Sequence, residues 1–249
     1  MSQPAEHALD RPALLAALRA RAARLAPAGT GSPDGGSLPL CPAIDQGLPT
    51  GGLARAALHE ILAADPAAVT GFCALVLARA RGNVLWIAAE PDASPPGLSR
   101  FGLSPADLLL VRAPRSEDAV WAMEEGLRCP GIAGALLALP EPEPEAVRRL
   151  QLAAEAGGGI GLLLRRDTEA EGTSAALTRW RIGALAGTGG APQDLGDPRW
   201  QLDLLRCRGG RPRSWRVVWR GAAERLELDA VPEQDLAAPP GRTPRRRNR

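Results

Sequence analysis

Five short apolar runs recur along the chain: AALHEIL (Ala56–Leu62), NVLWIAA (Asn83–Ala89), DLLLVRA (Asp107–Ala113), GALLAL (Gly134–Leu139) and IGLLLRR (Ile160–Arg166). They constrain the fold more than any other feature. A strand with one face in water alternates polar and apolar residues, whereas these runs are apolar almost throughout, as a strand covered on both faces must be. Helical patterns separate them at Thr70–Ala80, Ser116–Arg128 (with Ser116 as cap) and Glu145–Ala156. Strand and helix in alternation predict an α/β fold, a mostly parallel sheet with helices on both faces.

Past Arg166 the pattern changes. LTRWRIGAL, RWQLDLLRCR and SWRVVWRG alternate polar and apolar residues, and a short ERLELDA follows. We read these as an antiparallel C-terminal extension with a turn at Gly209–Gly210. At the other end, Pro12–Leu25 reads as a helix started by Asp10 and Pro12. Leu14, Leu15, Leu18 and Leu25, with Ala22, form one apolar stripe, and Arg19, Arg21 and Arg24 lie mostly off it. A Gly/Pro/Ser linker follows. The helix has two open readings: it folds onto its own core, or it docks on a neighbouring protein. The expected organisation is a helix at 1–25, a flexible linker at 26–37, a core at 38–232 and a disordered Arg-rich tail at 233–249.

All 30 basic residues are arginines. Without lysine, a Schiff base, a lysine general base and the lysine of a phosphate loop are all excluded. Formal net charge is +2, but Arg242–Arg249 holds five arginines and no acid, so the rest has 25 arginines against 28 acidic residues, a net of −3. A mildly acidic body is not built for broad phosphate binding. No apolar run reaches the ~18 residues a membrane span needs, and the polar, acidic start lacks a signal pattern, so the expectation is a cytoplasmic protein. Cys41, Cys73, Cys129 and Cys207 lie far apart, and His7 and His59 are the only histidines. That pattern predicts free thiols and no metal site.

The candidate chemistry lies where the first buried strand meets its helix. A phosphate loop needs glycines that let backbone N–H groups approach the phosphates, a lysine for charge, and a Ser/Thr for magnesium. In EILAADPAAVTGF, Thr70 holds the Ser/Thr place. Val69 stands where the lysine would be, and Ala63 and Ala68 stand in the glycine places. Glu90 follows the strand LWIAA at the edge where such sheets place ligand groups. No aspartate ends GALLAL; the acidic PEPEPE (Pro140–Glu145) follows instead. Near the C-terminus, Arg206, Arg208, Arg211, Arg213, Arg216 and Arg220 alternate with Trp200, Trp215 and Trp219. Arginine with aromatics suits single-stranded nucleic acid; the plainer reading turns tryptophans inward and arginines outward. His59 reads as a core or edge residue, and no Ser/His/Asp set is present.

The order of elements, with GLPTGGLARAALHEILAADPAAVTGF and NVLWIAAEPD, resembles the RecA recombinase core. GLSPADLLLVRAPRSEDAVWAMEEGLRC, RRLQLAAEAGG, ALTRWRI and RWQLDLLRCRGGRPRSWRVVW resemble the damage-inducible mutagenesis proteins of the ImuA family, across Pro12–Asp229. The resemblance implies a RecA-like core and a place in the SOS response, in a translesion-synthesis cassette. It implies RecA and the inactive Y-family protein ImuB as partners, and an error-prone polymerase reached indirectly. It places the recombinase lysine at Val69, the adjacent threonine at Thr70 and the catalytic glutamate at Glu90. The DNA-binding loops fall on PEPEPE and on DTEAEGTSA, with Asp167, Glu169 and Glu171. The expectation is a non-enzymatic adaptor without cofactor, with Val69, Thr70 and Glu90 vestigial. Leu14, Leu15, Leu18 and Leu25 would dock on a partner or on a second copy. Arg206, Arg208, Arg211 and Arg213 in the hairpin, with Arg245, Arg246 and Arg247 in the tail, form a second patch for a partner or DNA. Three rivals remain: a weak ATPase in which Arg55 or a partner's arginine replaces the lysine, a DNA-binding module acting through the basic C-terminus, and a cell-division inhibitor of similar degenerate fold. RWxLDLLRxRGGRP argues against the last.

Overall fold

A computed structural model describes residues 36–167, 174–187 and 196–229. The expected N-terminal helix with its leucine stripe, most of the linker, and the Arg tail lie outside the described residues.

In chain order the elements are β1 (Ser37–Leu38), α1 (Pro42–Asp45), β2 (Leu53–Ala54), β3 (Ala57–Ala63), α2 (Pro66–Ala80), β4 (Asn83–Ala88), α3 (Pro95–Ser99), β5 (Leu108–Arg112) and α4 (Ser116–Arg128). They continue with β6 (Ile132–Ala138), α5 (Pro144–Gly157), β7 (Ile160–Arg166), β8 (Thr178–Ala184), β9 (Arg199–Cys207), β10 (Arg213–Arg220) and β11 (Arg225–Leu228). Nine strands form one sheet in the order β11-β10-β9-β8-β3-β7-β6-β4-β5, and β1 pairs with β2 separately. The pairings from β8 to β5 are parallel; those from β8 to β11 are antiparallel. Each expected buried run is a strand of the parallel part.

One face of the sheet is covered by α2, with α1, α3 and β1 beyond it; Val69, Phe72, Trp180, Trp200 and Trp219 pack there. The other is covered by α4 and α5, where Leu85, Met123, Leu127, Leu150 and Leu163 pack. α2 is apolar nearly all round because it lies between the sheet and a further layer.

Three boundaries differ from expectation. β8, expected in the antiparallel extension, runs parallel to β3, with His59 opposite Thr178, and only its other edge is antiparallel. Its alternation reports a face that carries arginines, Arg179 buried against Glu60 and Arg181 half-buried; it does not report direction. α2 starts at Pro66, not Thr70, because Asp65 caps it and Pro66 suits its first turn. Ser116 is the first residue of α4, and its cap position is Arg115, with no side-chain cap bond. The hairpin turn falls where expected, and Gly209 takes the φ of +76° that favours glycine.

His59 is fully buried in β3. Its Nε2 lies 2.8 Å from the Ala54 carbonyl and its Nδ1 lies 2.7 Å from Thr178 Oγ1. The carbonyl can only accept, so Nε2 carries the proton. Trp180 Nε1 donates to Thr178 Oγ1 at 2.8 Å, leaving that hydroxyl to donate to Nδ1. The chain of bonds satisfies a neutral imidazole, and burial pushes its pKa down to about 4. Between pH 6.5 and about 4 the unfolded chain takes up a proton that the folded one refuses, so stability falls as pH falls through that window. The expected loss approaches about 3 kcal/mol by pH 4. Denaturant unfolding at pH 7, 5.5 and 4.5, against a His59→Gln variant with a shallower slope, checks it.

Candidate functional site

Strand β3 ends at Ala63 and α2 begins at Pro66, so only Ala64 and Asp65 join them. The Asp65 carboxylate accepts from the Ala68 N–H at 2.8 Å, its carbonyl accepts from Val69 N–H at 3.0 Å, and its own N–H donates to Ile182 O at 3.3 Å. A phosphate loop presents open N–H groups at the positive end of its helix. Here the chain's own anion occupies that end.

The residues of the expected site are placed apart. Val69 is fully buried in the α2 core. Thr70 borders a cavity of about 390 Å³, with Pro66, Asp92, Ser94 and Phe101 in its wall. Glu90, two residues beyond β4, is exposed and forms a bidentate pair with Arg112 at the end of β5; Arg112 Nε lies 3.0 Å from each carboxylate oxygen. The guanidinium's hydrogen bonds hold the Glu90 carboxyl below the usual range. Arg55, a substitute for the missing lysine in the ATPase reading, donates from Nη2 to the Ala80 carbonyl at 2.7 Å. That is the C-terminal end of α2, about 20 Å along the helix from Pro66.

The arginine–tryptophan hairpin, β9 and β10, turns its rings inward. Trp200 and Trp219 are buried. Trp215 stacks on Trp180 with centroids 5.9 Å apart and donates to Ala43 O at 3.2 Å. These three rings are therefore committed to packing. Arg206 donates to the Ala176 carbonyl and Arg208 to Ala175 at 2.8 Å, tying β9 to the segment before β8. Arg211 and Arg213 are exposed. The four form no single patch: two brace the fold and two face solvent.

A cluster absent from the sequence reading lies beside this brace. Glu60 of β3 is fully buried; its Oε1 accepts from Arg165 Nη1 at 3.1 Å and Ser174 Oγ at 2.7 Å, and its Oε2 accepts from Arg179 Nε at 2.7 Å. Arg206 stands close enough for both Glu60 and Arg179 to act on its charge. The register assembles it: Arg179 of β8 stands opposite Glu60, Arg165 of β7 stands opposite Leu62 on the same face of β3, and Arg206 of β9 stands opposite Arg179. Among the described residues no group of His, Cys, Asp and Glu is arranged to hold a metal, and no helix is long and apolar enough to cross a membrane. All four cysteines are free thiols, with Cys41 and Cys73 buried.

The sheet order, the β3–α2 junction and the antiparallel edge define a RecA-like α/β protein. The RadB recombinase crystal structure is similar with a TM-score of 0.55 at 13% identity, covering 75% of this chain and 96% of that one. No family model matches the sequence. Protein ImuA of Caulobacter vibrioides, in strains NA1000 / CB15N and ATCC 19089 / CIP 103742 / CB 15, is 39% identical over 194 residues, 70% of this chain and 79% of the relative. The chain belongs to the ImuA family, the damage-inducible mutagenesis proteins its sequence resembles.

Proposed function

We propose that this protein is a non-enzymatic accessory factor of SOS-induced translesion synthesis, a cytoplasmic adaptor that keeps a RecA-like scaffold and works through protein surfaces. The observation that carries this reading is the two-residue β3–α2 junction capped by Asp65. With Val69 in the core and Arg55 at the far end of α2, no arginine among the described residues lines the cavity that Thr70 borders. Recruitment of an error-prone polymerase then rests on docking to RecA, to the inactive Y-family protein ImuB, or to both. The helix carrying Leu14, Leu15, Leu18 and Leu25 is the proposed docking element; Arg211, Arg213 and the tail arginines Arg245, Arg246 and Arg247 are secondary, for a partner or DNA.

Titration of the full chain and of a Leu14→Asp/Leu18→Asp variant against RecA and against ImuB tests this. The expected result is binding to at least one of them, weakened about tenfold or more in the variant, the scale of losing buried anchors. Absence of binding to both by the full chain would overturn the adaptor reading.

A further inference from the structure

A groove of about 760 Å³ lies between the start of the described chain and the C-terminal end of α2. Leu38, Leu40, Leu75 and Trp219 lie buried beneath its floor, and Ala78 and Phe101 keep partial exposure in its wall. We infer that this groove is the seat of the chain's own N-terminal helix, Pro12–Leu25, packed in cis through its leucine stripe.

The argument begins from connectivity. Ser37 to Pro42 are themselves groove residues, so the segment that precedes Gly36 leaves the core at the groove mouth. Ten residues, 26–35, separate the helix from that point, and they reach at most about 33 Å. The stripe from Leu14 to Leu25 spans about 17 Å as a helix. So short a tether holds the helix at an effective concentration near millimolar, far above that of a second copy in dilute solution.

The charges also fit. Two of the three groove arginines are already spent on backbone carbonyls: Arg79 on Pro39 and Leu40, Arg55 on Ala80. Arg81 and Glu224 are exposed at the groove, while the Asp45 carboxylate already accepts from the Leu40 N–H at 2.8 Å. Arg19 and Arg21 flank the stripe and Glu6 and Asp10 precede it, so the helix carries charges of both signs to set against Glu224 and Arg81. The same leucines serve both this groove and the proposed partner, so the helix must leave the groove to dock elsewhere. The cis contact itself does not depend on who the partner is.

Hydrogen exchange on the full-length protein alone, at two concentrations tenfold apart, tests the inference. A helix this short is marginal in water by itself, so its amides are protected only if it is packed. The expected result is protection of residues 12–25 that is independent of concentration. It is lost, about tenfold or more, in both Leu18→Asp and the groove variant Ala78→Glu. Exchange of 12–25 at unfolded-chain rates in the natural protein would overturn it. Protection that grows with concentration would overturn it too, giving the groove to a second copy. Persistence of protection in Ala78→Glu would place the helix on another surface. Because no partner is present, failure here leaves the adaptor reading standing, and failure of the RecA and ImuB titrations leaves this one standing.

Discussion

Glu60→Gln is expected to destabilise the fold by about 3–5 kcal/mol, the range for breaking a buried ion pair from one side. Both oxygens of the carboxylate accept hydrogen bonds, from Arg165, Arg179 and Ser174. The side chain of Arg179 is 8% exposed and that of Arg165 is 18% exposed, so neither guanidinium can turn to water when its counter-charge goes. The amide keeps the shape and loses the charge, which leaves Arg165 and Arg179 without their counter-charge and Arg179 facing Arg206 across the β8–β9 pairing. That boundary joins the parallel half of the sheet to the antiparallel half, so its weakening is felt by the whole cooperative unit. Guanidinium unfolding should show a lower midpoint at unchanged m-value. Glu90→Gln is the comparison: its pair with Arg112 is solvent-exposed, and the midpoint should hardly move.

Trp180→Ala should cost a similar amount, about 3–5 kcal/mol, by a different route. The indole is fully buried and is the largest such side chain on the α2 face. It stacks on Trp215 and lies 6.4 Å from Phe72, so it clamps β8 and β10 against α2. Truncation removes this packing and opens a cavity that rigid neighbours on three elements cannot close. It also removes the donor to Thr178 Oγ1, and through that hydroxyl loosens the bonding of His59. Thermal unfolding read by calorimetry should show the loss. A double variant with His59→Gln should lose less than the sum of the two single variants, since the groups share one network.

The parallel sheet was legible in the sequence because its strands are covered twice, and covering on both faces writes continuous apolar runs at Asn83–Ala88, Ile132–Ala138 and Ile160–Arg166. Direction is not written in that way. Thr178–Ala184 alternates because one face carries Arg179 and Arg181, and the same alternation serves a parallel or an antiparallel strand. The start of α2 lies four residues before the Thr70 that a phosphate-loop pattern suggests, because Asp65-Pro66 is itself a sound helix start. The junction reads in the sequence as a departure from a phosphate loop, with Val69 in the lysine place and no lysine in the chain. The Glu60 cluster was not legible, since a glutamate inside an apolar strand names no partner until the register sets Arg179 opposite it and brings Arg165 onto the same face. The groove was hidden for the same reason, its walls coming from five separate parts of the chain.

The central claim is that this RecA-like fold acts without a nucleotide. Equilibrium titration of the full-length protein with a fluorescent ATP analogue and magnesium, up to about 1 mM, the upper end of ordinary substrate affinities, tests it most directly. The account predicts no saturable signal, with Thr70→Ala indistinguishable from the natural chain. Saturable, magnesium-dependent binding that Thr70→Ala abolishes would contradict it.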